Sequence, residues 1–237
     1  MAGTKGKGTT CAYVDSILSQ FQEKYSFPKK IGLYTSPHLI TVRERIRINS
    51  TPISSELFAK YFFEVYDLLE PQLAKENKVL SGTDDKAAAV VYFRYLTLLS
   101  YHIFLQEGVD AAIYETGVGG ELDSTNIVEH PACTGITALG IDHTHTLGNT
   151  IEEIAWHKAG IQKTGSPSFT VTQPANALKV LQAVANERNV NLTVELSRKR
   201  IDQVKIYPNK DFQRYVYFFR PFPLDLNCVA LQDKLLC

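Results

Sequence analysis

Short apolar runs alternate with longer amphipathic stretches along most of this chain, and the runs end in segments rich in glycine, hydroxyl and acidic residues. That alternation constrains the fold more than any other feature. "KKIGLYTS", ending near Ser36, "VDAAIYET", "CTGITALG", "SFTVTQ" and "NLTVEL" read as short strands. Helical periodicity lies between them. "TTCAYVDSILSQFQEKY" places Val14, Ile17, Leu18, Phe21 and Tyr25 on one stripe. "SELFAKYFFEVYDLLEP" does the same with Phe58, Tyr61, Phe62, Val65 and Leu69, and Pro71 is expected to end it. "TIEEIAWHKAG" opens on a capping box, Thr150 with Glu153, and should stop at Gly160. "PANALKVLQAVANER" has Pro174 near its first turn. Strands alternating with helices predict an α/β fold, a mostly parallel sheet with helices on both faces. "VRERIRIN", Val42 to Asn49, alternates too, but its charges leave two readings, a solvent-facing strand or an ordered loop.

The chain has 237 residues, enough for one large α/β domain or a domain with an appendage. Apolar residues make up 44% and the net charge is zero, so a packed core is expected and no electrostatic argument points to nucleic acid or membrane. Cys11, Cys133, Cys228 and Cys237 are scattered without metal-ligand spacing, as suits a reducing compartment. The run from Ala87 to Gln106 is long enough to span a bilayer. It contains Arg94, Thr97, Ser100 and His102, which favours a buried core helix closing at Gly108. Residues 1–197 are expected to form one nucleotide-binding domain. Residues 198–237, aromatic and without clear period, form an atypical tail.

Ligands of open parallel sheets bind beyond the carboxyl ends of the strands. The segment "AGTKGKGTT" precedes the first helix, and its glycines can let backbone N–H groups converge on an anion at a helix N-terminus. Gly3, Thr4, Lys5, Gly6, Lys7, Gly8 and Thr9 are thus a candidate phosphate loop, with Lys7 the cation for the outer phosphates. Gly8 stands where a P-loop ordinarily has Ser or Thr. Beyond three strands come Ser36, Glu115 and His143, a donor set suited to Mg²⁺ completed by substrate phosphates. Each has an ordinary structural reading as well: Ser36 a turn former before Pro37, Glu115 a surface carboxylate, His143 a loop-packing imidazole. Lys158, in a helix, reads from its position alone as a solvated charge.

"AGTKGKGTT", "GLYTSPHL", "RERIRIN", "ETGVGGELDSTNIV" and "GIDHTHTLGNTIEEIAWHKAGI" occur in the order found in the folylpolyglutamate synthases, which belong to the ATP-dependent Mur-type amide ligases. The chain resembles their P-loop NTPase-like central domain, in the eukaryotic form, over most of residues 2–173. The resemblance implies ligation of L-glutamate to the γ-carboxyl of tetrahydrofolate and its polyglutamates through an acyl phosphate. Dihydrofolate synthase and a non-catalytic nucleotide-binding fragment are the alternatives. It implies ATP, two Mg²⁺ sites (Ser36 and Glu115 on the first, His143 on the second), and a carbamylated lysine at Lys158, so that Lys158, Lys7 and His143 form the catalytic set. Asp123, Thr125 and Asn126 resemble part of the folate pocket, and "SPHLITVRERIRIN" a mobile loop closing over the ligands. The expected partners are reduced folate, glutamate and ATP, with no nucleic acid and no membrane, for a monomer in the cytoplasm or, in another form, the mitochondrion.

Two departures from that family pattern carry expectations of their own. Met1 and Ala2 alone precede the phosphate loop, so the strand that should carry it is expected to be missing. A C-terminal glutamate-binding domain has no counterpart after Leu196, so ligation by this chain alone is not expected.

Overall fold

A computed structural model describes residues 1–75 and 85–195 of the chain. The tail singled out in the sequence, 198–237, lies outside the described residues. These fall into two units, one holding residues 1–16 with 113–195, the other residues 17–112.

The first unit is built on a parallel three-stranded sheet of β5 (Thr134–Ile136), β6 (Ser168–Val171) and β7 (Leu192–Glu195), in the order β5-β6-β7. Thr134 faces Ser168 and Ser168 faces Leu192. Helices α5 (Ile151–Ala159) and α6 (Ala175–Glu187) supply its core. Ala155 and Ala159 meet Ala177, Leu181 and Val184, with Ile136 and Ala2 from the sheet side. The small residues on α5 let the two helices approach closely. The expected capping box is present, as Thr150 accepts from Glu153 N and the Glu153 carboxylate takes the Thr150 N–H at 3.0 Å. Gly160 caps the helix, as its position in the sequence predicts.

Met1 and Ala2 change the expectation of a missing strand. Ala2 N donates to Gly135 O and Thr137 N to Ala2 O, both at 2.9 Å, which pairs Ala2 with Ile136 in a parallel bridge. On the other side, the Met1 amino group donates to Tyr114 O at 2.7 Å, and Thr116 N to Met1 O at 3.0 Å. Two residues thus occupy a strand position between β5 and the end of β4 (Ala111–Tyr114). The ladder groups that would otherwise be orphaned there are satisfied at the level of the loop.

The second unit departs from a purely parallel reading. β1 (Ile31–Tyr34), β2 (Ile46–Ile48) and β3 (Thr51–Pro52) form an antiparallel ribbon, with Tyr34 opposite Ile46 and Ile48 opposite Thr51. The sheet order is β3-β2-β1-β4, and the start of β4 belongs to this unit. "VRERIRIN" is neither all strand nor all loop, because a 3₁₀ turn, Val42–Arg45, precedes β2. All four residues of β1 are buried, and α3 (Asp85–Gln106) lies on it so closely that a Cβ at Gly32 would fall 2.9 Å from the Phe104 ring. The apolar run of α3 is a core helix, as expected. Its buried hydroxyls find acceptors in the helix itself, Thr97 on Phe93 O and Ser100 on Thr97 O. Among the described residues no helix is long and apolar enough to cross a membrane.

Two helix readings need correction. α2 (Ser55–Lys75) does not stop at Pro71, which lies inside it and is exposed. A proline four residues from a helix end removes a single bond, to the carbonyl of Asp67, and the last turn continues past it. In α1 (Lys7–Tyr25) the buried residues are Cys11 and Asp15, while Ile17 is 61% exposed. The packed face adds Cys11 and Asp15 to the half-buried Val14, Leu18 and Phe21 of the apolar stripe, and leaves Ile17 and Tyr25 exposed.

Candidate functional site

The first unit assembles the site at the start of α1. Gly3 and Gly6 take positive φ values of 142° and 86°, a region that disfavours side chains. Gly3 is doubly required, since a Cβ there would collide with the Thr137 hydroxyl. The loop is anchored to the chain beyond β5. Thr4 N and Lys5 N both donate to Ala138 O, and the Thr4 hydroxyl donates to Gly140 O at 3.0 Å while accepting from Gly140 N. Thr10 N closes the first helical bond on Gly6 O. The first-turn N–H groups of Lys7, Gly8 and Thr9 therefore have no acceptor within the helix, and α1 carries no acidic residue in that turn. Free N–H groups and the positive end of the helix dipole together suit an anion.

Glu115, just past β4, is 5% exposed. A Cβ at residue 8 would lie 3.3 and 3.4 Å from its Oε1 and Oε2. Gly8, the departure from the usual loop pattern, is thus the residue that lets a carboxylate approach the first turn of the helix. Cys11, one turn on, is free and buried, and its thiol is pushed up to about 11 by burial, with Glu115 adding to the effect.

Lys158 is 2% exposed, which overturns its reading as a solvated charge. Its ammonium donates to Gly3 O at 3.0 Å. Burial first, and the Lys7 charge second, push its pKa down to about 8, against the pull of Asp142 and Asp123. His143 lies beyond β5 with a φ of 49°, caps the short helix α4 (Thr144–Leu147), and sets Nε2 3.5 Å from Asp142 Oδ2. Asp142 stands with His143 just beyond β5, and its charge bears on Lys158 as well.

The other candidate positions have distinct roles in the described structure. Asp123 accepts from Val118 N through one oxygen and from Thr125 N and Thr125 Oγ1 through the other. Asn126 donates to Glu121 O and Gly160 O. These three residues shape the loop after β4 and fix it to the end of α5. Ser36 belongs to the second unit, directly after β1. There the segment 39–41 is braced by the Glu44 carboxylate, which accepts from the N–H groups of Leu39, Ile40 and Thr41 at 2.8–3.0 Å.

Among the described residues no three His, Cys, Asp or Glu side chains cluster as a ready-made metal site. Mg²⁺ needs no such cage, since it is commonly held by one or two carboxylates with waters and phosphate oxygens. A buried carboxylate against the first turn of α1, with the Thr9 hydroxyl in that same turn, is a hard-oxygen donor set that fits it.

Comparison with known proteins adds what geometry alone does not carry. No family model matches the chain. A folylpolyglutamate synthase of Neurospora crassa is 57% identical over 215 residues, 90% of this chain and 40% of the relative. The chain is homologous to part of folylpolyglutamate synthase. It spans about two fifths of the length of the curated relatives it matches. An FPGS–AMPPCP–folate complex superimposes with a TM-score of 0.69 at 31% identity, covering 81% of this chain and 43% of that one. E. coli FolC in complex with DHPP and ADP gives 0.64 at 32% identity, over 81% of this chain and 41% of that one. These likenesses to folylpolyglutamate synthase structures agree with the α/β architecture found here.

Proposed function

We propose that this chain forms the nucleotide-binding part of an ATP-dependent ligase that joins L-glutamate to the γ-carboxyl of tetrahydrofolate and its polyglutamates. The observation that carries the reading is the approach of Gly8 to Glu115, which brings a buried carboxylate to the phosphate loop. It is supported by the relatives, among them a chain solved with AMPPCP and folate.

A carboxylate is a poor electrophile. Transfer of the γ-phosphoryl group of ATP to the folate γ-carboxylate converts it to an acyl phosphate, and the glutamate amine then displaces phosphate. The N–H groups of the first turn and Lys7 hold the phosphates and neutralise charge on the transferring group. Glu115, with the Thr9 hydroxyl, would hold Mg²⁺, and His143 a second ion. When bound, these ions would supply positive charge to the phosphate oxygens. Lys158 has a second role in this reading. Its lowered pKa raises the fraction of neutral amine available near neutral pH, and that amine adds to CO₂ with loss of one proton to give a carbamate. That step turns a cation into an anionic acceptor beside the loop. Asp123, Thr125 and Asn126 line the folate side. A monomeric state and a cytoplasmic site of action belong to the same reading.

The likeness to E. coli FolC bound to DHPP and ADP favours a second reading, ligation of glutamate to dihydropteroate. One experiment separates them. A longer, full-length protein that contains this sequence is given ATP, Mg²⁺ and glutamate with either tetrahydrofolate or dihydropteroate, and products are read by mass spectrometry. A product one glutamate longer with tetrahydrofolate is expected. Product from dihydropteroate alone would favour the second reading. Neither product, with AMPPCP still bound, would leave a nucleotide-binding module. In parallel, K7A should weaken AMPPCP binding by calorimetry, and unchanged affinity would remove the phosphate-loop assignment.

A further inference from the structure

We propose that Arg188 is a positioning residue for the site: through Glu121 and the Gly160 carbonyl, it fastens the loop bearing Asp123, Thr125 and Asn126 to the end of the helix bearing Lys158. The role in substrate binding rests on the reading of that loop as part of the folate pocket.

Arg188 follows α6 and lies far from every motif in the sequence. Its backbone is fixed, with Arg188 N on Val184 O and Arg188 O accepting from the Thr164 hydroxyl. Its guanidinium donates from Nη1 to Gly160 O at 2.9 Å and to Gln162 O at 3.1 Å, and from Nη2 to Glu121 Oε2 at 3.0 Å. The Gly160 carbonyl accepts a second bond from Asn126, which also donates to Glu121 O. Glu121 N donates to His157 O at 2.7 Å. Three segments thus meet at one carbonyl at the end of α5, two residues beyond Lys158.

The contact is too close for ordinary side chains. A Cβ at Gly120 would lie 2.6 Å from His157 O and 3.0 Å from Lys158 O, and a Cβ at Gly160 would collide with Glu121. Backbone packing brings the loop to the helix, and the guanidinium closes the join. A planar fork can serve acceptors on two segments at once, and an ammonium cannot reproduce that geometry. Both ionic side chains are mostly withdrawn from solvent, at 27% and 20% exposure, so the pair is screened less than a surface one.

The test compares wild type, R188A, R188K and E121Q. Hydrogen exchange is read at the Glu121 and Asn126 amides. Calorimetry reads tetrahydrofolate and, separately, AMPPCP with Mg²⁺. R188A should speed exchange at both amides about tenfold while the amides of α1 and α6 keep their protection. It should weaken tetrahydrofolate about tenfold and leave AMPPCP within about twofold, because the phosphate loop is anchored through Ala138 and Gly140 instead. R188K should follow R188A, and E121Q should fall between. If R188A does not fold, R188K and E121Q carry the same comparison. Unchanged exchange at Glu121, or parallel loss of both ligands, would overturn the proposal. If the wild type binds no tetrahydrofolate, the pocket reading fails, and exchange alone decides whether Arg188 holds the loop.

Discussion

Lys158 donates from Nζ to the carbonyl oxygen of Gly3 across 3.0 Å, although the two residues are 155 positions apart in the chain. The bond places a buried amine on the backbone of the phosphate loop. It couples the folding of α5 to the geometry of the loop.

That burial predicts a pH dependence. Burial and Lys7 hold the Lys158 pKa at about 8, below the ordinary 10.5. Between those values the unfolded chain binds more protons at this residue than the folded one, so stability rises with pH across the window. Below pH 8 the full cost of a buried ammonium remains. Wild type should gain on the order of 2–3 kcal/mol relative to K158M between pH 7 and pH 10. Urea unfolding of both proteins at the two pH values measures it, and a constant difference would contradict the placement of the amine.

Gly8→Ala should separate stability from binding. Gly8 is in a helix, where alanine is favoured by about 1 kcal/mol, so the melting temperature should hold or rise. The new Cβ, at 3.3 Å from Glu115 Oε1, forces the carboxylate aside by a few tenths of an ångström. Affinity for Mg²⁺–AMPPCP should fall roughly tenfold, about 1.4 kcal/mol. Calorimetry with and without Mg²⁺ checks this, since the loss should be larger with the ion present.

Glu44 governs the segment after Ser36. Its carboxyl is held down to about 2 by the N–H groups of Leu39, Thr41 and Ile40. Because the folded pKa is depressed, the brace is intact above the ordinary carboxyl range and is lost as pH falls through about 2. E44A should speed exchange of those three amides at pH 5, while E44Q keeps partial protection. Identical exchange in wild type and E44A would show that the segment is held by something else.

Gly120→Ala tests the close approach of the loop to α5. The Cβ would press on two backbone carbonyls, so overpacking should cost about 1–3 kcal/mol. Gly140→Ala is the control, because its Cβ would meet the Thr4 methyl at an ordinary 3.8 Å. Thermal or urea unfolding of the pair should show a loss confined to G120A.

Much of the local structure could be read from the sequence. The capping box of Thr150 and Glu153, the stops at Gly108 and Gly160, the buried strand before Ser36 and the strand before Glu115 are signals carried within a few residues. They act through bonds of short span, so neighbouring residues suffice to specify them. The glycine-threaded loop at a helix start, with Lys7 and a carboxylate past a strand, was legible for the same reason. What neighbours cannot specify is which distant surface each element meets. The buried face of α1 at Cys11 and Asp15, the fit of Gly8 to Glu115, and the hold of Arg188 on Gly160 come from close approach between segments far apart in the chain. Lys158 shows the limit most clearly. Helical position alone reads it as solvated, and the packing of α5 against the loop removes it from water. Tertiary packing decided its pKa, because desolvation depends on everything that surrounds a side chain, and periodicity records only the residues beside it in sequence.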